Sequence, residues 1–265
     1  MTPSAVPELF AEPFVSLQGS KRARRDFLLW ARLVKMATVT SVDAILPKRQ
    51  YRAGYTVLKR HRHSASYLAL VLSGAHEEAG DRGCHRVRAG DAILHGAFEA
   101  HLNRYASNGA EVLDLPLPFW TDSASPVVEV KDPDEVVRAA ERDPREAVQM
   151  VFSKMKPVDR RSCDWPQQLA EALESNPHLR LDDWACTHGL ASASVSRGFY
   201  KVFGISPSAF RAQQRARAAL RLAVASQEPL AQVALSAGFC DQAHMTRAVH
   251  AISGCPPGAW RHQVK

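Results

Sequence analysis

The first half of the chain carries three histidines whose spacing could bring their side chains together. His61 and His63 lie in the run HRHSASYLALVLSG, and His101 follows a Gly-Asp turn in the run GDAILHGAFEAHLNR. Side chains two residues apart point to one face of a β-strand, so we expect His61 and His63 to face the same side, with His101 reaching them from a neighbouring strand. Three imidazoles suit zinc or another first-row metal and leave one coordination position open.

A purely structural interpretation of these histidines stays open beside the metal site. His61 and His63 could be the basic end of a strand, and His101 a core histidine with its hydrogen bonds made. His95 or Glu99 could complete a ligand shell if either side chain points inward. Cys84 has no flanking cysteine motif, and this favours an inert thiol over a redox site.

The elements that would carry the histidines are short strands. Residues 38–118 contain the runs YTVLKRH, YLALVLSG, HRVRAGDAILHG and AEVLDLPLP, which are rich in β-branched and aromatic residues and separated by Gly, Asp, Asn and Pro. Several such runs at close spacing predict a small β-barrel or sandwich. A closed barrel of this size encloses about one small ligand, so the pattern also predicts a small-molecule pocket.

This stretch resembles the cupin fold. The matching residues are His61, His63, Gly90, Asp91 and His101, but the glutamate of the first cupin motif is absent because SASYL occupies its place. The resemblance implies a ligand or metal site formed by the three histidines. It leaves open whether they hold a divalent, zinc-like metal or make polar contacts to an organic ligand, and no cofactor follows with certainty.

The composition changes after residue 130. The run DPDEVVRAAERDPREAVQMVFSKM is charged, has helical periodicity and is interrupted by Pro144, so it predicts two short helices that link domains or pair protomers. Residues 157–164 read as a hinge, and nearly everything after Trp165 is helical. The predicted division is a ligand-sensing domain at 1–130, a helical linker at 131–164 and an all-α domain at 165–265.

The last hundred residues contain an internal repeat. ACTHGLASASVSRGFYKVFGISPSAFR aligns with ALSAGFCDQAHMTRAVHAISGCPPGAWR at an offset of 49 to 50 residues. Each copy has a short helix, a glycine turn, a second helix ending at glycine and a proline that begins the next element, which is a helix-turn-helix pattern. The aligned pairs include Ala185 with Ala234, Gly189 with Gly238, Arg197 with Arg247, Gly204 with Gly254, Pro207 with Pro257 and Arg211 with Arg261.

The second helix of each copy has one apolar face and one polar face. A spacing of three to four residues predicts that Val195, Phe199 and Phe203 are buried in the first copy, and that Met245, Val249 and Ile252 are buried in the second. Gly198 interrupts the first of these helices at a cost of about 1 kcal/mol relative to alanine. The outward candidates are Ala193, Ser194 and Arg197 in the first copy and Gln242, Ala243, His244 and Arg247 in the second.

Residues 165–265 resemble the DNA-binding domain of the AraC/XylS family of bacterial transcription regulators, in which cupin sensor domains are common. The resemblance implies that the two second helices enter neighbouring major grooves on one DNA face, with the outward candidates facing bases or backbone. An arginine can bind guanine through two hydrogen bonds. Further basic residues are predicted to contact phosphate, namely Lys201, Arg211, Arg215, Arg217 and Arg261.

The charge distribution agrees with a polyanionic partner. The net charge is +7, and residues 180–265 hold ten lysines and arginines against four acidic residues. Five scattered cysteines without a Cys-x-x-Cys pair favour reduced thiols, and the early apolar run is broken by charges, so the expectation is a cytoplasmic protein without a membrane partner.

The sequence therefore predicts an α+β protein with an N-terminal cupin-like barrel and a C-terminal domain of two helix-turn-helix units. Its predicted function is sequence-specific DNA binding in transcription regulation, controlled by a small-molecule effector in the barrel and not by enzymatic turnover. Double-stranded DNA, an effector, a second copy of the chain and RNA polymerase are the expected partners. Two alternatives remain, a cupin metalloenzyme of dioxygenase or isomerase type with a helical appendage, and a DNA-compacting protein.

Overall fold

The computed structural model describes residues 47–117, 126–162, 164–176 and 179–263; the first 46 residues of the predicted sensor domain lie outside this part. The described residues form an antiparallel sheet followed by helices, so the α+β class is confirmed. The strands are β1 (Lys48–Arg52), β2 (Val57–Arg62), β3 (Tyr67–Gly80), β4 (Gly83–Arg88), β5 (Asp91–His95), β6 (Ala100–Pro116), β7 (Val127–Glu129) and β8 (Lys156–Pro157). The helices are α1 (Pro133–Arg142), α2 (Pro144–Lys154), α3 (Trp165–Ser175), α4 (Leu181–Thr187), α5 (Ser192–Phe203), α6 (Pro207–Ala225), α7 (Leu230–Ser236), α8 (Gln242–Ser253) and α9 (Pro257–Gln263).

Two long strands, β3 and β6, organise the sheet. They pair with each other along most of their length, and each changes its second neighbour halfway: β3 pairs first with β5 and then with β4, whereas β6 pairs first with β2 and then with β1. The change occurs at β-bulges beside Gly74 and Gly109, which have φ angles of 74° and 68°. A Cβ atom at Gly74 would lie 2.0 Å from the carbonyl oxygen of Gly109, so only glycine permits this crossing.

The sheet is bent but does not close into the predicted barrel. Across the described ranges, β1 and β2 pair only with β6 and leave open edges, whereas β4 bonds with β3 on one side and with the segment 160–162 on the other. The bulges give the reason, because they shift the β3–β6 register and give the two halves of each long strand different second neighbours. The predicted closed barrel is therefore corrected to an antiparallel sheet that does not close, and the resemblance to the cupin fold stays a prediction.

The segment predicted as a linker packs on the sheet. Asp132 and Asp143 cap α1 and α2 by accepting hydrogen bonds from the backbone N–H groups of Glu135 at 2.9 Å and Arg145 at 2.8 Å, and a proline follows each cap. The chain then re-enters the sheet as β8. Buried side chains of both helices join the core of β3, β5 and β6, and they are Val136, Ala139, Ala140, Ala147 and Val151.

The C-terminal helices have two apolar cores: the first includes residues of the sheet, and the second includes residues of the turn between β5 and β6. The first packs α3, α4 and α5 around Ala79, Cys84 and Leu102. The second packs α6, α7 and α8 around Ala97 and Phe98, with Trp260 of α9 against the Phe98 ring at 5.2 Å between centroids. Both helix-turn-helix units are therefore anchored to the sheet. Among the described helices, none combines the length and the hydropathy that a membrane crossing requires.

A tryptophan explains the glycine inside α5. A Cβ atom built on Gly198 would lie 2.4 Å from Cζ2 and 2.7 Å from Cη2 of Trp165, the first residue of α3. The indole therefore lies directly against the α5 backbone. The weaker helix propensity of glycine is offset by this close contact between the two helices.

We predict that Gly198→Ala lowers the free energy of unfolding by about 1–2 kcal/mol, because overpacking against Trp165 outweighs a propensity gain of about 1 kcal/mol. Gly258→Ala is the matched control, since a Cβ atom there would meet only Leu230 Cδ1 at 3.7 Å, an ordinary contact. This control should be neutral or slightly stabilising. Urea denaturation measures both, and a stabilising Gly198→Ala would contradict the close packing.

Candidate nucleic-acid interface and histidine cluster

The first helix-turn-helix unit consists of α4, a turn at Gly189 and α5. Gly189 has a φ of 65°, and α5 ends at Gly204 with a φ of 67°, as the glycine pattern predicted. Val195, Phe199 and Phe203 are fully buried, as predicted. The opposite face of α5 is exposed and carries the candidates Ala193, Ser194, Arg197 and Lys201.

The second unit repeats this geometry with α7, a turn at Gly238 and α8. The carboxylate of Asp241 caps α8 by accepting a hydrogen bond of 2.7 Å from the backbone N–H of His244. Met245 and Val249 are fully buried, whereas Ile252 is only partly buried. The exposed face carries Gln242, Ala243, His244 and Arg247. Contact of either face with DNA stays a prediction.

Helix α6 joins the two units. Its 19 residues correspond to a length of about 28 Å at 1.5 Å per residue, close to the roughly 34 Å of one DNA turn. Ser206 caps it by accepting from the backbone N–H of Ala209 at 3.3 Å. A single rigid helix thus sets the separation of the two units.

The basic residues predicted to contact phosphate lie in three different environments. Lys201 is exposed on α5. Three others donate to backbone carbonyls: Arg211 to Leu179 at 2.6 Å, Arg215 to Gly238 at 3.3 Å and Arg261 to Ala223 at 2.8 Å. The prediction is wrong for Arg217, which is 8% exposed and paired with Glu99, because its position on α6 faces the sheet.

The sheet holds α5 through hydrogen bonds to the end of that helix. Arg104 of β6 donates to the carbonyls of Lys201 and Val202, the latter at 3.0 Å. Arg60 of β2 donates to the carbonyl of Phe203 at 3.2 Å. The last carbonyls of a helix carry a partial negative charge, so two guanidinium groups there stabilise the end of α5.

Buried charges join the sheet to α6. We call Arg60, Asp81, Glu99 and Arg217 the interdomain latch. Arg217 donates to Glu99 Oε1 at 2.5 Å and lies 3.6 Å from Asp81 Oδ2, while Arg60 donates to Asp81 Oδ1. The backbone N–H of Ala100 also donates to Asp81 at 3.0 Å. Arg217 is the member that α6 contributes, so its buried guanidinium is stabilised only while α6 stays against Glu99 and Asp81 of the sheet half.

We predict that Glu99→Gln lowers the free energy of unfolding by about 2–3 kcal/mol, because it removes the carboxylate closest to the buried Arg217 guanidinium. Adding Arg217→Met should recover part of this loss, so the double variant costs less than the two singles combined. Glu146→Gln is the control, since its pair with Arg142 at 3.1 Å is exposed and contributes less than about 0.5 kcal/mol. Equal costs for Glu99→Gln and Glu146→Gln in urea denaturation would contradict the latch.

The three predicted histidines lie together inside the bend of the sheet. The ring centroids of His61 and His63 are 5.0 Å apart, and those of His61 and His101 are 4.4 Å apart. One potential ligand atom from each of the three lies within 4.8 Å of the others. We call these residues, with the neighbouring His95 and Glu78, the histidine cluster.

Glu78 is the member of the histidine cluster that the sequence did not predict. A second set of potential ligand atoms, from Glu78, His95 and His101, also lies within 4.8 Å, and all three residues are buried. Glu78 accepts from Asn103 Nδ2 at 3.0 Å and lies 3.6 Å from His95 Nε2. Strand alternation places Glu78 on one face with His76. The pairing of Glu78 with Asn103, two residues from His101 on β6, is what brings Glu78 close to His101. Glu99, the other residue that the sequence offered for this shell, accepts from Arg217 and belongs to neither set of potential ligands.

Burial sets the protonation of the inner groups. Desolvation, together with the neighbouring His61 and His95, lowers the pKa of His63 to about 4, and burial also lowers the pKa of His101 well below its usual range. Both imidazoles are therefore neutral near pH 7, the form that binds a metal. Burial raises the pKa of Cys84 to about 12, which agrees with the predicted inert thiol.

The C-terminal geometry agrees with a comparison to known families. Residues 184–263 match the family model described as a helix-turn-helix domain. This part of the chain is a helix-turn-helix domain, with two units in the positions described above. A comparison with curated proteins finds no match.

Solved structures of AraC-family regulators are distantly similar. The C-terminal domain of AraT, a response regulator from Geobacillus stearothermophilus, is 20% identical with a TM-score of 0.34, and the match covers 37% of this chain and 83% of that one. ToxT from Vibrio cholerae O395 is 9% identical with a TM-score of 0.41 over 83% of this chain and 97% of that one. A probable AraC family regulator from Rhodopseudomonas palustris CGA009 is 24% identical with a TM-score of 0.35 over 37% and 94%.

Proposed function

We propose that this protein is a sequence-specific DNA-binding regulator of transcription whose N-terminal part responds to a small-molecule effector. The observation that carries the proposal is the pair of exposed, equivalent faces on α5 and α8, joined by one rigid helix in a helix-turn-helix domain. Arg197 and Arg247 occupy matching positions on these faces and are both exposed. Two similar faces on one domain suit two neighbouring grooves of one DNA face.

The two faces have different supporting environments. The end of α5 is bonded to the sheet through Arg60 and Arg104, and the interdomain latch holds α6. A change at the sheet would therefore reach the first unit through the end of α5 and both units through α6. An effector changes DNA occupancy only if it binds two domain arrangements with different affinities. Contacts that join the sheet to the helical domain support regulation because they can differ between two such arrangements.

We predict that Arg247→Ala weakens binding to the preferred DNA site about 5- to 150-fold, which corresponds to about 1–3 kcal/mol for one base-reading arginine. Selection from a random duplex pool at about 150 mM salt should recover two sub-sites about one helical turn apart. Arg247→Ala should blur one sub-site and Arg197→Ala the other.

Arg138→Ala is the matched control for charge, because Arg138 is exposed on α1 in the N-terminal half. It should shift affinity less than about twofold and leave both sub-sites sharp. If both arginine variants select the wild-type motif with unchanged sharpness, these side chains do not read bases. If the wild-type chain enriches no motif with or without effector, the regulator is refuted.

We also propose that the histidine cluster binds a divalent, zinc-like metal. Neutral imidazoles of His63 and His101 and the nearby Glu78 carboxylate suit such an ion, which would polarise a bound ligand. The cavity lined by Glu78, His95 and His101 has a volume of about 10 Å³, enough for one ion or water molecule. Glu78 also favours the second candidate function, a metalloenzyme, more than the sequence did.

Zinc titration of the full chain against a chromophoric chelator tests the metal. We predict one equivalent bound, a loss of more than about tenfold in affinity for His101→Gln, and little change for the exposed His262→Gln. His61→Gln and His95→Gln separate the two overlapping ligand sets, since each removes a ligand from one set only. If the wild-type chain binds zinc no more tightly than His101→Gln, the cluster is not a metal site and the histidines are core residues.

We propose a regulator without turnover, and DNA selection together with metal titration separates it from the metalloenzyme. A homodimer, contact with RNA polymerase and a cytoplasmic location stay predictions from the sequence.

A further inference from the structure

We propose that the effector site is the cavity between the sheet and the helical domain, and that this cavity takes a small organic cation with an apolar body. This inference rests on the proposed function, because it assigns the effector's place and chemical class. It differs from the predicted pocket inside the sheet. We call the new site the junction cavity, and it is lined by β4, the segment 157–161, α3 and α6.

Size favours the junction cavity over the interior of the sheet. Its volume is about 420 Å³, within the roughly 300–1,000 Å³ of small-molecule sites, whereas the cavity beside the histidine cluster holds about 10 Å³. Such sites are common at domain interfaces. The interior therefore has room for an ion, and the junction cavity has room for an organic molecule.

The polar groups around the junction cavity leave acceptors without donors. Arg161 uses its donors on Asp159 at 2.7 Å and Glu171 at 2.9 Å, and Gln167 Nε2 also donates to Glu171 at 2.9 Å. Glu174 lines the cavity, is exposed, and has no hydrogen bond or ion pair with the described residues. The free acceptors call for a ligand that donates.

A buried histidine adds a further acceptor. His85 lines the cavity and is 3% exposed. Its Nε2 lies 3.0 Å from the carbonyl oxygen of Arg82, which can only accept, so the proton is on Nε2 and Nδ1 keeps a lone pair. That Nδ1 atom has no partner in the described part of the chain. A buried polar atom without a partner is costly, but Nδ1 has almost no accessible surface, so a donating ligand would satisfy it only after a small movement of the imidazole ring.

Charge and apolar surface define the ligand further. Four carboxylates but only two guanidinium groups line the cavity, and Asp159 and Glu171 already share Arg161. Asp81 is buried and paired with Arg60 and Arg217 of the interdomain latch, so Glu174 is the lining carboxylate that remains to favour a cation over an anion. Apolar side chains complete the wall, among them Pro157, Val158 and Phe210, so the cation needs an apolar body to fill the space.

Two residues that line the junction cavity also take part in contacts that hold the helical domain: Asp81 in the interdomain latch and Phe210 in the packing of α6 on α5. Asp81 lines the cavity and belongs to the interdomain latch, and its backbone carbonyl accepts from Gln214 of α6. Phe210 of α6 also lines it, and its ring packs on Phe199 and Phe203 of α5 at 5.3 and 5.5 Å between centroids. A ligand here would contact the residues that orient the first helix-turn-helix unit.

Benzylamine, benzyl alcohol and phenylacetate test the chemical class, because they share an aromatic body and differ in charge. Ligand-observed NMR and calorimetry on the full chain should show benzylamine binding about tenfold more tightly than phenylacetate, with benzyl alcohol between them. Equal or stronger binding of phenylacetate, or no saturable binding of benzylamine, would overturn the proposal.

Variants of Glu174 test the location. Glu174→Gln should weaken benzylamine about threefold and leave benzyl alcohol unchanged, and Glu174→Lys should bring phenylacetate ahead of benzylamine. Glu228→Gln is the matched control, since this exposed acid before α7 is not among the residues that line the cavity. His63→Gln should leave benzylamine binding unchanged. Equal weakening by both glutamine variants, or a loss only with His63→Gln, would move the site elsewhere.

Affinity for the selected DNA, measured with and without saturating benzylamine, tests the coupling. We expect a change of at least about twofold in the wild-type chain and none when Glu174→Lys abolishes amine binding. Bound benzylamine with unchanged DNA affinity would overturn the effector role. Amine binding is measured without DNA. Failure to select a DNA motif would therefore refute the proposed function, and the benzylamine result would still show whether the cavity binds an organic cation.

Discussion

The buried contact between Arg217 and the carboxylates of Glu99 and Asp81 sets the relation between the two halves of the protein. A charge removed from water is stabilised only by close and complete pairing, so Arg217 must reach the sheet wherever α6 lies. Glu99 and Asp81 are held in turn by the backbone N–H groups of Gly96 at 2.9 Å and Ala100 at 3.0 Å. The position of α6, and of both DNA-binding units, follows from the β-sheet geometry.

The same sheet segments serve the histidine cluster and the interdomain latch. Gly80 pairs with His101, so the latch carboxylate at Asp81 and the cluster histidine are one step apart along neighbouring strands. The backbone N–H of Asp81 donates to the carbonyl of Ala100 at 3.0 Å, which joins these strands once more. If either strand moves, the histidine cluster and the interdomain latch therefore move together, because both are attached to it directly.

The sequence predicts features that depend on residues close together in the chain, and it does not predict features that depend on how distant strands and helices pack. Phe199 and Met245 follow helical periodicity, and the glycine turns follow backbone conformation, so the faces of α5 and α8 were predictable. Glu78 was not, because only the β3–β6 register brings it to His101. Arg217 was assigned to phosphate, since composition cannot distinguish a helix face packed on a sheet from one in solvent. Barrel closure failed for a similar reason, because two glycine bulges redirect strands whose residue pattern is that of a barrel.

The donors at the end of α5 make the two DNA-binding units thermodynamically unequal. Its last carbonyls accept from Arg60 and Arg104 of the sheet, whereas α8 ends with bonds from its own segment, the backbone N–H of Gly254 to the carbonyl of His250 at 2.8 Å and the hydroxyl of Ser253 to Val249 at 2.8 Å. Separating the domains would expose the first set and leave the second intact. Domain opening would therefore leave carbonyls without donors at the end of α5 but not at the end of α8, whereas at the second unit it would expose the apolar contact between Phe98 and Trp260.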